Sequence, residues 1–101
     1  HADCEIDFNN TVDVVHNFVR GLSPYPAAWT TIDDTEVKIY WASKEYFDHD
    51  ALPGSLLSDG KNFLKILCLD GGIKVKELKL SGKRRMDIKS LLNGYTIRQI
   101  Q

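Results

Sequence analysis

The chain has 101 residues, of which 43% are hydrophobic and 27% charged, with a net charge of −1. A chain of this length forms one domain that buries about 65% of the surface exposed when it is unfolded, so a second domain is excluded. Residues 1–50 carry three basic and ten acidic side chains, and residues 51–101 carry ten basic and four acidic ones. This split of −7 against +6 predicts two regions of opposite potential, the positive one suited to phosphate groups.

Cysteine content and hydropathy predict the setting of the chain. Cys4 and Cys68 are too few and too widely separated for a disulfide framework, so we expect reduced thiols, with Cys68 as a small core residue. No apolar run approaches the length that crosses a bilayer, and the first residues lack the basic and apolar regions of a signal peptide. We therefore expect a cytoplasmic protein. We also expect it to be a monomer.

Residues 1–10 are predicted to form the end of an interdomain linker, and an amphipathic helix is predicted to follow. Its apolar side chains recur in steps of three, four and three residues, which places them on one stripe: Val12, Val15, Val19 and Leu22. Asn10 or Thr11 suits the N-cap position, and Asp13 and Arg20 suit the two ends of the helix dipole.

The segment Gly21–Pro26 combines a helix end with a stiff corner. Each proline disfavours helical geometry at the residue before it, so Ser23 and Tyr25 are expected to be extended. An apolar strand, Ala28–Ile32, follows. The chain is therefore expected to leave the helix through a rigid corner and to enter a strand.

A second strand, Glu36–Ala42, is predicted after a turn at Asp33–Thr35. Its alternation places Val37, Ile39 and Trp41 on a core face. Lys38 and Tyr40 lie on the outer face. Residues Lys44–Ala51 are polar and aromatic without a period, and we expect a long loop there.

The second half of the chain predicts a β-hairpin and a short helix. After turns at Leu52–Gly54 and Asp59–Gly60, a buried strand is expected at Asn62–Leu69, and Asp70–Gly72 has the composition of a hairpin turn. Asp87–Asn93 is predicted to be a short terminal helix.

The strand after the hairpin turn changes parity. Ile73 and Val75 are apolar at odd positions, whereas Leu78 and Leu80 are apolar at even ones, so a β-bulge is expected near Glu77. Short strands separated by turns favour a small barrel over a parallel sheet.

Several strings occur in the order in which a known family has them. They run from about Cys4 to about Gly94: Ile6-Asp7-Phe8, Val15–Thr30 with its Pro-Tyr-Pro corner, Leu52–Ser55, Cys68–Ile73, Glu77–Ser81, Gly82-Lys83-Arg84-Arg85-Met86 and Leu91–Gly94. On these strings the chain resembles the C-terminal domain of methionyl-tRNA formyltransferase. Two positions depart from the usual pattern, because Ala27 stands where the family often has glycine and Lys79 where it often has glutamine.

The resemblance implies a fold and a role. The fold is mainly β, a small OB-fold-like open β-barrel with an N-terminal helix and a short C-terminal helix, formed by residues 1–101 as a single domain. The parent enzyme transfers a formyl group from 10-formyltetrahydrofolate to methionine on initiator tRNA, and its catalytic residues lie in an N-terminal Rossmann-like domain that this sequence lacks. The C-terminal domain acts with that domain in cis and helps to hold the tRNA. We expect this fragment to be inactive by itself and to bind no cofactor.

Seven basic residues lie within sixteen positions, with Glu77 and Asp87 as the two acids among them: Lys74, Lys76, Lys79, Lys83, Arg84, Arg85 and Lys89. Gly82 is expected to permit a tight turn that presents the cations after it together. Ammonium and guanidinium groups in such an arrangement bind neighbouring phosphates without reading bases. We predict that this cluster contacts the tRNA backbone; the alternative is a solvated face that serves solubility.

Four aromatic residues are candidate stacking platforms for unpaired bases: Tyr25, Trp29, Tyr40 and Trp41. Trp29 and Trp41 lie in apolar alternation and are expected in the core, whereas Tyr40 remains open because it faces outward with Lys38. Tyr25 and the prolines around it are expected to form a rigid seam, with the absent catalytic domain as a candidate partner.

Catalytic and metal sites are not predicted. His16, His49 and Cys4 lack the close spacing of metal-ligand sets, so we expect no metal. The aspartates at 33–34 and 48–50 are typical of turns, where the side chain bonds to nearby backbone.

Two hypotheses of function follow. The first is a tRNA-binding accessory domain of methionyl-tRNA formyltransferase. The second is a structural module of another folate-dependent formyltransferase, acting on a nucleotide sugar or another substrate, without RNA binding. The cationic string Gly82–Met86 favours the first.

Overall fold

The secondary structure was obtained from a computed structural model, which describes residues 2–100. Within this range the chain has two α-helices, α1 (Val12–Leu22) and α2 (Ile88–Gly94), and short 3-10 turns at Ala2–Cys4 and Arg98–Ile100. The same range contains six β-strands: β1 (Ala28–Ile32), β2 (Thr35–Tyr46), β3 (Leu56–Ser58), β4 (Leu64–Leu67), β5 (Gly71–Leu80) and β6 (Met86–Asp87).

The strands of the described chain form one antiparallel sheet in the order β1-β2-β5-β4-β3, and β6 also pairs with β5. β5 is therefore the central strand, and α1 packs against β2 and β5. The sheet curls into a half-barrel, which confirms the predicted mainly β, OB-fold-like open barrel with its two helices. None of the helices within residues 2–100 has both the length and the apolar character that a bilayer crossing requires.

Helix α1 is fixed at its first turn from two directions. Thr11 is the N-cap, as the sequence allowed, and its Oγ1 accepts a hydrogen bond from the Val14 N–H at 3.4 Å. The turn between β4 and β5 supplies a second acceptor, because Asp70 Oδ1 accepts the Val12 N–H at 2.8 Å. The predicted apolar stripe is buried in the core at three positions and half-buried at the fourth: Val12, Val15, Val19 and, less deeply, Leu22.

The corner between α1 and β1 has the predicted extended geometry at Ser23. Ser23 has φ −82° and ψ 142°, and both X-Pro bonds, Ser23-Pro24 and Tyr25-Pro26, are cis. Ala27 follows with a φ of 74°, and its side chain is buried. Glycine enters this left-handed region without steric cost, which gives a physical reason for the glycine that the family often has at this position.

The turn between β1 and β2 also anchors the end of the described chain. Asp33 and Asp34 have φ values of 53° and 62° and connect the paired residues Ile32 and Thr35, as a two-residue hairpin turn requires. The buried Asp33 carboxylate accepts hydrogen bonds from the Tyr95 hydroxyl at 3.1 Å, the Arg98 N–H at 2.8 Å and the Gln99 N–H at 3.0 Å. Burial raises the pKa of this carboxyl, but the hydrogen bonds together lower the pKa by a larger amount. The pKa of Asp33 therefore lies below its ordinary value.

The core of the described chain gathers side chains from the inner face of the sheet, the helices and residues 6–8. Its fully buried members include Ile39, Leu64, Ile66, Ile73, Leu78 and Cys68. Burial, assisted by the charge of Asp70, raises the pKa of the Cys68 thiol to about 11. Cys68 is therefore a protonated core residue, as predicted.

Some predicted boundaries were wrong. β2 continues to Tyr46, so the first part of the expected loop Lys44–Ala51 is strand. This extension is held by α1, because Asp13 accepts hydrogen bonds from the Tyr46 hydroxyl and from Lys44 Nζ, the latter at 3.3 Å. β4 (Leu64–Leu67) is shorter than the predicted strand Asn62–Leu69. Its partner β3 (Leu56–Ser58) was not predicted as a strand, because these residues were expected only to follow a turn.

The bulge near Glu77 is confirmed, and it corrects the prediction for Trp41. The β2–β5 register shifts between Ile39 and Trp41 and again between Trp41 and Ala42. Ala42 therefore takes the buried position, and the Trp41 side chain is 58% exposed instead of lying in the core. Trp29 was also expected in the core, but it is only half-buried.

Candidate nucleic-acid interface

β5 carries three of the predicted cations on one side. Ile73, Val75, Leu78 and Leu80 are buried on the core side of the strand. The other side carries half-buried lysines: Lys74, Lys76 and Lys79. Without the bulge, Lys79 would lie on the same side as Ile73 and Val75, so the irregularity keeps all three cations together.

Neighbouring strands add two lysines that the sequence did not indicate. Lys38 of β2 lies directly opposite Lys79, and Lys65 of β4 lies directly opposite Lys74. Directly opposed residues in antiparallel strands share a face, so these lysines form one surface. We call this surface the basic face and define it as Lys38, Lys65, Lys74, Lys76 and Lys79.

Most of the basic face is not neutralised. Lys65 Nζ lies 2.7 Å from Glu45 Oε1 and 5.2 Å from the centre of the Phe63 ring. For the other four lysines, no carboxylate of the part of the chain that the structure describes lies within ion-pairing distance. Like charges directly opposite each other destabilise a sheet, and a bound anion removes that cost.

The loop between β5 and β6 contains the predicted tight turn but presents only two of the three expected cations, Lys83 and Arg84. Gly82 has a φ of 79°, and the Lys83 N–H donates to the Leu80 carbonyl at 2.9 Å, which closes a tight turn. Lys83 and Arg84 are exposed and form no ion pair with the described residues.

Arg85 differs from its neighbours because it is fixed on the sheet. Its Nε and Nη2 atoms lie 2.8 Å and 2.6 Å from Glu77 Oε1. Its guanidinium carbon lies 4.2 Å from the centre of the Tyr40 ring, a cation–π contact. Arg85 is thus a partly neutralised edge of the basic face rather than a free phosphate ligand.

Lys89 lies apart from the basic face. It belongs to the first turn of α2 and, with Lys61, Asn62 and Ser90, lines an open cleft of about 650 Å³. The carboxylate of Asp87 caps this helix, and hydrogen bonds from Ser90 lower the pKa of Asp87. The seven predicted residues are therefore divided among the basic face, the loop and this cleft.

The basic face and the loop after β5 offer hydrogen-bond donors and positive charge. The two histidines within residues 2–100 bond to backbone carbonyls, His16 to that of Ala42 at 3.0 Å and His49 to that of Cys68 at 2.6 Å. The described residues bring together no group of three or more His, Cys, Asp or Glu side chains that would hold a metal ion. Lys38 and Lys65 were missed because strand register depends on tertiary pairing; only the outward position of Lys38 was visible in the alternation.

Fold and surface together define a small antiparallel β-barrel domain with a cationic face, most of whose lysines have no carboxylate partner among residues 2–100. The chain belongs to the formyl transferase C-terminal domain family, whose model matches residues 1–96. This confirms the resemblance inferred from the sequence strings.

Relatives with curated names are similar over nearly all of this chain. It is 44% identical to the methionyl-tRNA formyltransferase of Bacteroides fragilis over 97 residues, which cover 91% of this chain and 30% of the relative. It is 41% identical to that of Parabacteroides distasonis with the same coverage. It is 39% identical to that of Bacteroides thetaiotaomicron, covering 93% of this chain and 31% of the relative. The chain thus spans less than a third of the length of these relatives.

Proposed function

We propose that this chain is the tRNA-binding C-terminal domain of a methionyl-tRNA formyltransferase. In that enzyme a catalytic domain in cis transfers the formyl group of 10-formyltetrahydrofolate to initiator methionyl-tRNA in the cytoplasm, at the start of translation. The present domain holds the tRNA by its sugar-phosphate backbone and acts as a monomer. It has no transferase activity and binds no folate by itself.

The basic face is the observation that carries this proposal. Lys38 lies opposite Lys79, and Lys65 lies opposite Lys74, at a cross-strand separation where like charges repel. A polyanion with regularly spaced phosphates relieves this repulsion at several positions at once. Contacts of this kind fix the register and orientation of a nucleic acid and carry no sequence information.

The loop and the cleft extend the same surface chemistry. Lys83 and Arg84 are exposed beyond the end of β5, and Lys89 lies with Lys61 beside α2. We infer that the face supplies the central contacts and that these cations add peripheral ones. An affinity of roughly 10⁻⁴ to 10⁻⁶ M at physiological salt is expected for such backbone binding.

A tRNA titration with two matched variants tests the proposal. Lys74 and Lys44 are near neighbours on adjacent strands, but Lys44 pairs with Asp13 of α1, on the other side of the sheet. We expect Lys74→Gln to weaken binding about three- to tenfold and to reduce the salt slope by about one unit. Lys44→Gln should leave both within experimental error.

A triple variant gives the stronger test. Changing Lys74, Lys76 and Lys79 to Glu should abolish measurable tRNA binding at physiological salt. Unchanged affinity in this variant would remove the proposed site and favour the alternative, a structural module of another folate-dependent formyltransferase. Equal losses of tRNA affinity in the Lys74→Gln and Lys44→Gln variants would show that binding depends on the net charge of the chain and not on the position of the lysine in the basic face.

A further inference from the structure

The bulge in β2 exposes an aromatic ring beside a groove. Tyr40 and Trp41 are consecutive, yet neither is in the core, because the register shift moves the next inward position to Ala42. With 58% of its side chain exposed, Trp41 forgoes much of the free energy that burial of an indole provides. An indole in this position gives a flat apolar surface that is open to a ligand.

The groove lies between α1 and the bulged part of β2 and has a volume of about 410 Å³. Its lining residues are His16, Val19, Arg20, Ser23, Tyr40, Trp41 and Ala42. This volume is within the range of small-ligand sites. Among the described residues that line it, none carries a carboxylate, so the groove suits an anionic ligand with a flat apolar part.

One guanidinium group, that of Arg20, lines this groove, and a second, that of Arg85, lies over the ring of the lining residue Tyr40. Arg20 is in the last turn of α1, and its Nη2 donates to Asn17 Oδ1 at 2.9 Å, which leaves further N–H donors for a phosphate. Arg85 lies over the Tyr40 ring and connects the groove to the bulge of β5 through Glu77. Tyr40 thus contacts both the groove and Arg85 at the edge of the basic face.

A second aromatic groove on the molecule lacks these properties. Tyr25 and Trp29 line a groove of about 380 Å³ together with Asp3 and Lys38. The Asp3 carboxylate opposes an anionic ligand there. The second groove thus combines a carboxylate with the Lys38 ammonium, whereas the lining of the Trp41 groove has Arg20 and no carboxylate, so charge favours a nucleotide at Trp41.

We propose that the groove between α1 and the bulge of β2 binds one unpaired nucleotide of RNA, with its base stacked on Trp41 and its phosphate in contact with Arg20. This inference rests on the proposed RNA-binding function and adds a specific site to it. Every base has a face that stacks on an indole, so the site recognises unpaired structure rather than sequence.

Fluorescence of a single tryptophan tests the proposal directly. In the Trp29→Phe variant, Trp41 is the remaining tryptophan of the chain. A short single-stranded oligoadenylate should quench its emission and shield it from acrylamide. A blunt RNA duplex should bind through its phosphates and leave the emission unchanged. Equal quenching by the duplex, or no quenching by a bound oligoadenylate, would overturn the proposal.

Affinity measurements complete the test. Trp41→Ala should weaken oligoadenylate binding about 5- to 150-fold and change duplex binding less than about twofold, since stacking contributes roughly 1–3 kcal/mol per base. Trp41→Phe should retain part of the affinity, and Tyr25→Ala, which removes an exposed ring outside the groove, should have no effect. Circular dichroism of each variant verifies the fold.

The outcomes separate this inference from the proposed function. Failure of duplex, oligoadenylate and tRNA to bind the unchanged chain would overturn both. Binding of all three with no response to Trp41→Ala would overturn only the nucleotide groove. Protection of Trp41 by the N-terminal part of the Bacteroides fragilis relative, without any response to oligoadenylate, would assign the groove to a protein contact and also overturn it.

Discussion

The Asp33 cluster, formed by Asp33, Tyr95, Arg98 and Gln99, and the basic face differ in how their polar side chains are paired within the described chain. At Asp33 one buried carboxylate is satisfied by three donors from residues 95–99, and a further hydrogen bond runs from the Asp33 N–H to the Gln99 side chain. On the basic face, lysines lie opposite lysines and only Lys65 has a carboxylate partner among the described residues. The first arrangement stabilises the fold by itself, whereas the second stores a repulsion that only an external anion removes.

The largest expected effect is on the satisfied cluster. Asp33→Ala removes the acceptor for the hydroxyl of Tyr95 and for two backbone N–H groups. Loss of these bonds and release of the last residues of the barrel should lower the midpoint of thermal unfolding by roughly 10 °C. Calorimetry measures this shift. A midpoint within about 2 °C of the unchanged chain would show that the cluster is dispensable.

A smaller effect, of opposite sign, is expected on the unsatisfied face. Lys79→Glu replaces a repulsive pair with an attractive one opposite Lys38 and should raise the free energy of unfolding by about 0.5 kcal/mol. The same change should weaken tRNA binding. Urea unfolding and a tRNA titration on one preparation measure both. A loss of stability together with the loss of binding would contradict the idea that the face is strained in the absence of RNA.

Acid titration tests the Asp33 cluster together with a second hydrogen-bonded carboxylate, Asp59, in the turn between β3 and β4. Hydrogen bonds lower the pKa of Asp33 and, through the backbone N–H groups of Asn62 and Lys61, also hold the pKa of Asp59 well below its usual range. Both folded values lie below the unfolded value of about 4, so this stability is fully present above about pH 4 and is lost as the pH falls through the folded values. Asp59→Asn should reduce proton uptake on acid unfolding by up to about one proton. If urea unfolding of the Asp59→Asn variant had the same pH dependence as that of the unchanged chain, the lowered pKa of Asp59 in the folded state would be refuted.

Two opposing effects are expected at Ala27, which lies in neither region. Ala27→Gly relieves the left-handed φ but removes a buried methyl group and makes the unfolded chain more flexible. These terms oppose each other, so the free energy of unfolding should change by less than about 1 kcal/mol. Ala27→Val should destabilise clearly, because a β-branched residue is disfavoured at this φ. Equal stability of the Gly and Val variants would show that backbone strain at this position is negligible.

The sequence predicted those parts of the site that depend on local pattern. Alternation placed Lys74 and Lys76 on one side of a strand, and the parity change at Leu78 located the bulge that keeps Lys79 with them. The partner positions Lys38 and Lys65 depend on strand register, which three separate strands set only when they pair.

The errors have the same origin. Trp41 was assigned to the core because Val37, Ile39 and Trp41 alternate regularly, and nothing in that string indicates the second irregularity in β2. Asp33 was correctly predicted as a turn residue, but its contact with Gln99 joins positions 66 residues apart. Local propensity contains no signal for such a contact.

The hydrogen bond from the Val12 N–H to Asp70 has a consequence for the order of assembly. It joins positions 58 residues apart, so a growing polypeptide releases the whole of α1 from the ribosome before its acceptor has been synthesised. An isolated helix of 11 residues is marginal in water, so α1 should consolidate only after the β4–β5 hairpin exists. Pulsed hydrogen exchange during refolding would show this as protection of the Val12 amide no earlier than that of the hairpin amides; earlier protection would rule it out.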